Sequence, residues 1–63
     1  MKAKEYRAAL AALNLSQTAA ADFFGVDQRT SRRWALDEVV IPETVAILLR
    51  YMVRKRLKPE DVV

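Results

Sequence analysis

The sequence contains no cysteine and no histidine. The first absence excludes disulfides and any thiolate that would hold a metal or attack a substrate. The second removes the commonest general base and the commonest metal ligand. No paired carboxylates stand together on one face of an expected helix either. The chain is therefore expected to be no enzyme, with no catalytic residue, no metal ligand and no cofactor. Glycine occurs once, as Gly25, and proline twice, as Pro42 and Pro59. No apolar run approaches the roughly 18 residues of a membrane span. The opening Met1-Lys2-Ala3-Lys4-Glu5-Tyr6 lacks the apolar stretch of a signal peptide. A cytoplasmic location without a membrane partner is expected. Strand-type alternation is also missing. Val39-Val40-Ile41 is the one extended candidate, too short to make a sheet alone.

What remains favours helices. Ala, Leu, Arg and Lys dominate the 63 residues, and these are good helix formers. The length allows one domain, residues 1–63, with a small core. Tyr6, Ala9, Leu10 and Leu13 recur at helical spacing and predict a first helix over 4–13. Asn14 and Leu15 end it. Ser16 is a good N-cap for a second helix over 17–24, and Gly25 fits the left-handed position after it. Asp27 caps a third helix over 28–36, where its carboxylate also favours the positive end of the helix dipole. Pro42 fits the first position of a fourth helix over 42–56, buried along Val45, Leu48, Leu49, Met52 and Val53. Pro59 starts a last short turn through Val63. The expected fold class is all-α, a compact domain of four to five helices.

Lys and Arg number 11 against 8 acids, a net charge of +3. Placement says more than the total. Arg29, Arg32 and Arg33 form one cluster, and Arg50, Arg54, Lys55, Arg56 and Lys58 another. Basic clusters on a small domain point to an acidic partner, nucleic acid before membrane, or to a solvated helix face. For the second cluster the choices are a solvated cationic helix end, phosphate contact from the flank, or an acidic partner.

The segment from Leu15 to Trp34 reads L-S-Q-T-A-A-A-D-F-F-G-V-D-Q-R-T-S-R-R-W. Two short helices joined by a three-residue turn that opens on glycine form the helix-turn-helix pattern, here residues 17–36. Ala21 suits a close crossing of the two helices. Ala20, Phe24, Val26 and Trp34 are expected to point inward. Gln28, Arg29, Arg32 and Arg33 are left on the outer face of the second helix of the pair.

This segment resembles the helix-turn-helix of the phage repressor and Cro-like (XRE-type) family of DNA-binding domains. The matching features are Ser16-Gln17, Ala21, Gly25-Val26, Arg29-Thr30 and Arg32-Arg33-Trp34, followed by Ile41-Pro42-Glu43-Thr44-Val45-Ala46-Ile47-Leu48-Leu49-Arg50. The resemblance covers about residues 4–58. It implies a repressor-like fold and a homodimer on a palindromic operator, with helix 28–36 in the major groove of double-stranded DNA. It implies that Gln17 meets phosphate and braces the recognition helix, with Ser16, Thr18 and Arg32 on backbone or base. Gln28 and Arg29 occupy the first turn of the recognition helix, the part that reaches base edges, and Arg33 continues their face. Glutamine pairs with adenine and arginine with guanine in the major groove. The expected function is a transcriptional regulator, a repressor associated with the nucleoid.

Three departures from the family pattern stand out. Ser31 replaces the usual Val or Ile and needs a hydrogen-bond partner, with the carbonyl four residues back the expected one. Ala20 replaces a larger aliphatic, and Phe23 and Phe24 are expected to restore the volume. Asp37 and Glu38 stand where basic residues are usual, and they would repel phosphates. The surplus apolar residues Val39, Val40, Ile41, Leu57, Val62 and Val63 are expected to form a dimer seam. Two alternatives stay open: an antitoxin-like regulator that also binds a partner protein, and a helical adaptor without DNA binding.

Overall fold

In a computed structural model, which describes residues 1–62, five helices follow one another: α1 (Ala3–Ala12), α2 (Gln17–Phe24), α3 (Gln28–Ala35), α4 (Glu43–Lys55) and α5 (Pro59–Val62). Their boundaries follow from their ends. The Ser16 hydroxyl accepts from the Ala19 amide at 3.0 Å, and an Asp27 carboxylate oxygen from the Thr30 amide at 2.8 Å. Each satisfies a backbone donor that the first helical turn leaves unpaired.

The first four helices end the same way. One residue turns left-handed: Asn14 (φ 56°), Gly25 (φ 71°), Asp37 (φ 63°) or Arg56 (φ 56°). Two reversed amide bonds then close each end, such as Val26 to the Ala21 carbonyl at 3.0 Å and Gly25 to the Asp22 carbonyl at 3.3 Å. This is the Schellman arrangement. Only one of the four sites carries the residue that enters the left-handed region without strain.

These ends correct the expected spans. α1 starts and stops one residue early, because Leu13 is the C-cap. α3 stops at Ala35 rather than Leu36, which is again the C-cap. Pro42 has ψ 143° and caps α4 instead of opening it, and Arg56 is its left-handed C-cap. Val63 lies outside the described residues, so the expected turn is seen only as far as Val62.

The result is a compact all-α domain of five helices, with no strand among the described residues. Its radius of gyration of 10.4 Å is what a folded chain of this length requires. No described helix is long and apolar enough to cross a membrane. The core gathers Tyr6, Ala9 and Leu10 from α1, Ala20 from α2, Trp34 and Ala35 from α3, and Leu49 from α4, with Ile41 from the loop before it. Ile41 therefore belongs to the core and not to an outer seam. Val40 beside it is 91% exposed. Ala20 and Ala21 are fully buried, so α2 lies close against α3. α4 adds Ala46 and Met52, with Val45, Leu48 and Val53 half-buried at the edges of the same stripe. Arg50 bridges α4 to Glu5 of α1 through two hydrogen bonds of 2.9 and 3.1 Å. The Arg50 guanidinium holds the Glu5 carboxyl below its ordinary range. Both groups are exposed, so the bridge adds little stability.

Ser31 is fully buried, but its partner is not the carbonyl of its own helix. Its hydroxyl shares a 2.8 Å hydrogen bond with the Tyr6 hydroxyl, 25 residues away in the chain. Burial pushes the Tyr6 phenol up from its ordinary value, with the Ser31 hydrogen bond pulling the other way. A small polar residue on α3 thus matches a large polar-tipped one on α1, in the place of an aliphatic contact. Ser31→Ala should cost about 1–3 kcal/mol, because it leaves a buried hydroxyl unpaired. The double variant Tyr6→Phe/Ser31→Ala should cost less than the two single changes summed. Urea unfolding of the four proteins checks this, and strict additivity would show that the two hydroxyls are not coupled.

Candidate nucleic-acid interface

α3 has two faces with different chemistry. Ser31, Trp34 and Ala35 are buried. Gln28, Arg29, Arg32 and Arg33 are all exposed. Three anchors hold the inner face. Ser31 is tied to Tyr6, as above. The Trp34 ring meets Tyr6 edge-on at 5.8 Å and Phe24 at 6.4 Å between centroids. Edge-to-face pairs of this kind add to the burial itself. Phe24 packs against the core cluster that contains the small Ala20, and Phe23 meets Phe24 edge-on at 5.1 Å. At the far end, the Arg7 guanidinium donates to the Ala35 carbonyl, one of the acceptors left free where α3 ends. α3 is therefore fixed in rotation and in tilt by α1 and α2, and its outer side chains project from a rigid support.

α2 and α3 together form a concavity. Gln17 and Thr18 from the first turn of α2, and Gln28, Arg29 and Arg32 from α3, line about 390 Å³ of open space between them. Five of the seven residues picked out from the sequence thus converge. Arg33 is exposed on α3 but does not line this space. Ser16 stands at the N-cap of α2, with its oxygen engaged by the Ala19 amide. One carboxylate stands close by. The Thr30 backbone amide, then the Thr30 hydroxyl, and lastly Arg29 and Arg33, hold the Asp27 carboxyl below its ordinary value.

The placement of the cations separates two kinds of basic residue. Arg54 and Lys55 lie in the last turn of α4, where positive charge stabilises the helix dipole. The dipole favours them there, as it favours Arg32 and Arg33 in the last turn of α3. Arg29 lies in the first turn of α3, the positive end, where a cation is unfavourable. The exposed Asp27 carboxylate offsets part of that cost from a distance, but Arg29 has no carboxylate within ion-pair distance among the described residues. An arginine kept there faces outward and is free to meet an anion.

No family model, curated protein or solved structure matches the chain. Among the described residues, no group of three or more carboxylates is placed to hold a metal. Phe24 packs inward against Trp34 as expected, but the sequence did not point to Tyr6 and Arg7 as supports of α3. A hint was present for Tyr6: a tyrosine in an apolar stripe needs a partner for its hydroxyl. Nothing in the sequence marks Arg7.

Proposed function

We propose that the chain is a sequence-specific regulator of transcription that binds double-stranded DNA through a helix-turn-helix, with α3 as the recognition helix in the major groove. The observation that carries this is the outer face of α3: four exposed, long, hydrogen-bonding side chains on a helix whose inner face is anchored at three points. The resemblance to phage repressor and Cro-like domains supports the same reading. Gln28 and Arg29 read base edges from the first turn, and Arg33 reads one turn further on. Gln17 and Thr18 meet the sugar-phosphate backbone from the start of α2, with Ser16 beside them. Arg32, which shares their concavity, contacts phosphate or base. The protein acts as a homodimeric repressor on a palindromic operator in the bacterial or phage-infected cytoplasm, and it carries out no catalysis.

Readers and positioners respond differently to substitution. Arg29→Ala should cost about 1–3 kcal/mol of binding and relax preference at one place in each half-site. Lys55→Ala, on another helix, should weaken all sequences alike or leave binding unchanged. Both variants are compared across a panel of single-base operator variants. A uniform loss for Arg29→Ala, with base preferences intact, would make Arg29 a phosphate contact and remove it from the readers.

A further inference from the structure

α4 carries a second face that the core does not use. Ala46, Leu49 and Met52 are fully buried on one side. On the other, Ile47 is 58% and Tyr51 44% exposed, one turn apart. They line a shallow groove with Arg50 and Arg54. Scattered apolar surface residues are ordinary, but this pair sits inside an ordered charge pattern. Glu43 lies at the start of the helix and Arg54 and Lys55 at its end. The Glu43 side chain is 72% exposed, and it approaches Arg50 only at 4.0 Å. Among the described residues, neither Arg54 nor Lys55 has a carboxylate within ion-pair distance.

That order is self-complementary in one direction only. Ile47 and Tyr51 lie equally far from Leu49 along the helix, and so do Glu43 and Lys55. A second α4 laid antiparallel, with a two-fold axis at the level of Leu49, sets Ile47 against Tyr51 and Glu43 against Lys55, while Arg50, which falls near its own copy at the axis, is already paired with Glu5 of its own chain. A parallel pairing would set like charges together. A two-fold contact between identical patches is also the commonest way for a soluble protein to associate with itself. We propose that the outer face of α4 docks a second copy of this chain in this antiparallel arrangement. Ile47 meets the partner's Tyr51, and Glu43 meets the partner's Lys55. Arg54 already lies over its own Tyr51 ring, 5.9 Å from the centroid, which holds the ring against the helix before the partner arrives. The contact is small, so the free protein exchanges between monomer and dimer. This names the surface behind the dimeric operator reading and deepens that reading, but the contact belongs to the free protein and is tested without DNA.

Sedimentation equilibrium of the full chain, from about 10 µM to about 1 mM, covers the range of small and weak interfaces. The wild type should dimerise within it. Ile47→Glu should stay monomeric throughout while its helical circular dichroism is unchanged, because the position is exposed. Glu43→Lys and Lys55→Glu should each weaken association about tenfold, and the two together should restore it, since the swapped charges attract again. A wild type that remains monomeric overturns the proposal, as does a dimer indifferent to Ile47→Glu. A double swap that fails to restore association refutes the antiparallel register. A chain that dimerises but binds no duplex keeps this surface and refutes the DNA reading instead.

Discussion

Trp34→Ala should lower the unfolding free energy by about 3–5 kcal/mol, the usual loss for deleting a large buried aromatic. Trp34 is 3% exposed and touches both Tyr6 and Phe24 edge-on. It is the largest side chain in the core and the one on which α1, α2 and α3 converge. A domain of this length holds about 3–9 kcal/mol in all, at the usual stability per residue. Removing Trp34 would therefore leave most molecules unfolded or close to it at room temperature. Thermal melting followed by circular dichroism gives the answer. An unchanged melting temperature would mean that the ring is not the centre of the core, and that the phase of α3 is wrong. The outer face of α3 would then have to be reassigned with it, because the same phase decides which residues point out.

The second large effect is on binding. Affinity for duplex DNA should fall about a thousandfold between about 50 and 200 mM salt, if a dimer makes about six phosphate contacts. Each neutralised phosphate releases condensed counterions, and added salt opposes that release. Arg32→Ala should flatten the logarithmic salt slope by about two, one contact from each protomer. Lys55→Ala, in the docking face of α4, should leave the slope nearly unchanged. Fluorescence anisotropy at a series of salt concentrations reads both. Binding that does not respond to salt would exclude phosphate neutralisation as its source.

Parts of this structure were legible in the sequence for identifiable reasons. The bounds of α2 match residue for residue, because Ser16 and Gly25 mark both ends with side-chain chemistry that has few other uses. The outward set on α3 follows once Trp34 is put inside, since helical phase does the rest. The C-terminal ends of α1 and α3 fall one residue before the expected ones because the chain turns left-handed at Asn14 and Asp37, where no glycine signals it. The burial of Ile41 is not legible in the sequence, because it depends on how the loop before α4 folds back, which no local pattern encodes. The Tyr6–Ser31 bond joins residues far apart in the chain. Each hydroxyl announces a need for a partner, but only the packing of α1 on α3 pairs them. The concavity that unites Gln17 and Thr18 with Gln28, Arg29 and Arg32 has the same origin. It exists because Ala20 and Ala21 are small enough to let α2 lie against α3. Nothing in the sequence singles out Ile47 and Tyr51, because the core stripe of α4 accounts for the helix by itself.

The claim that α3 reads DNA sequence is tested most directly by selecting bound sequences from a random pool of short duplexes. The expected result is an enriched site with two-fold symmetry. Its two halves should lie about 10 base pairs, or a multiple, apart, because two recognition helices must enter successive major grooves on one side of the duplex. Substituting Arg29 should blur one position in each half. A pool that shows no enrichment over many rounds, at low salt and with folded protein, would contradict a sequence-reading role for α3.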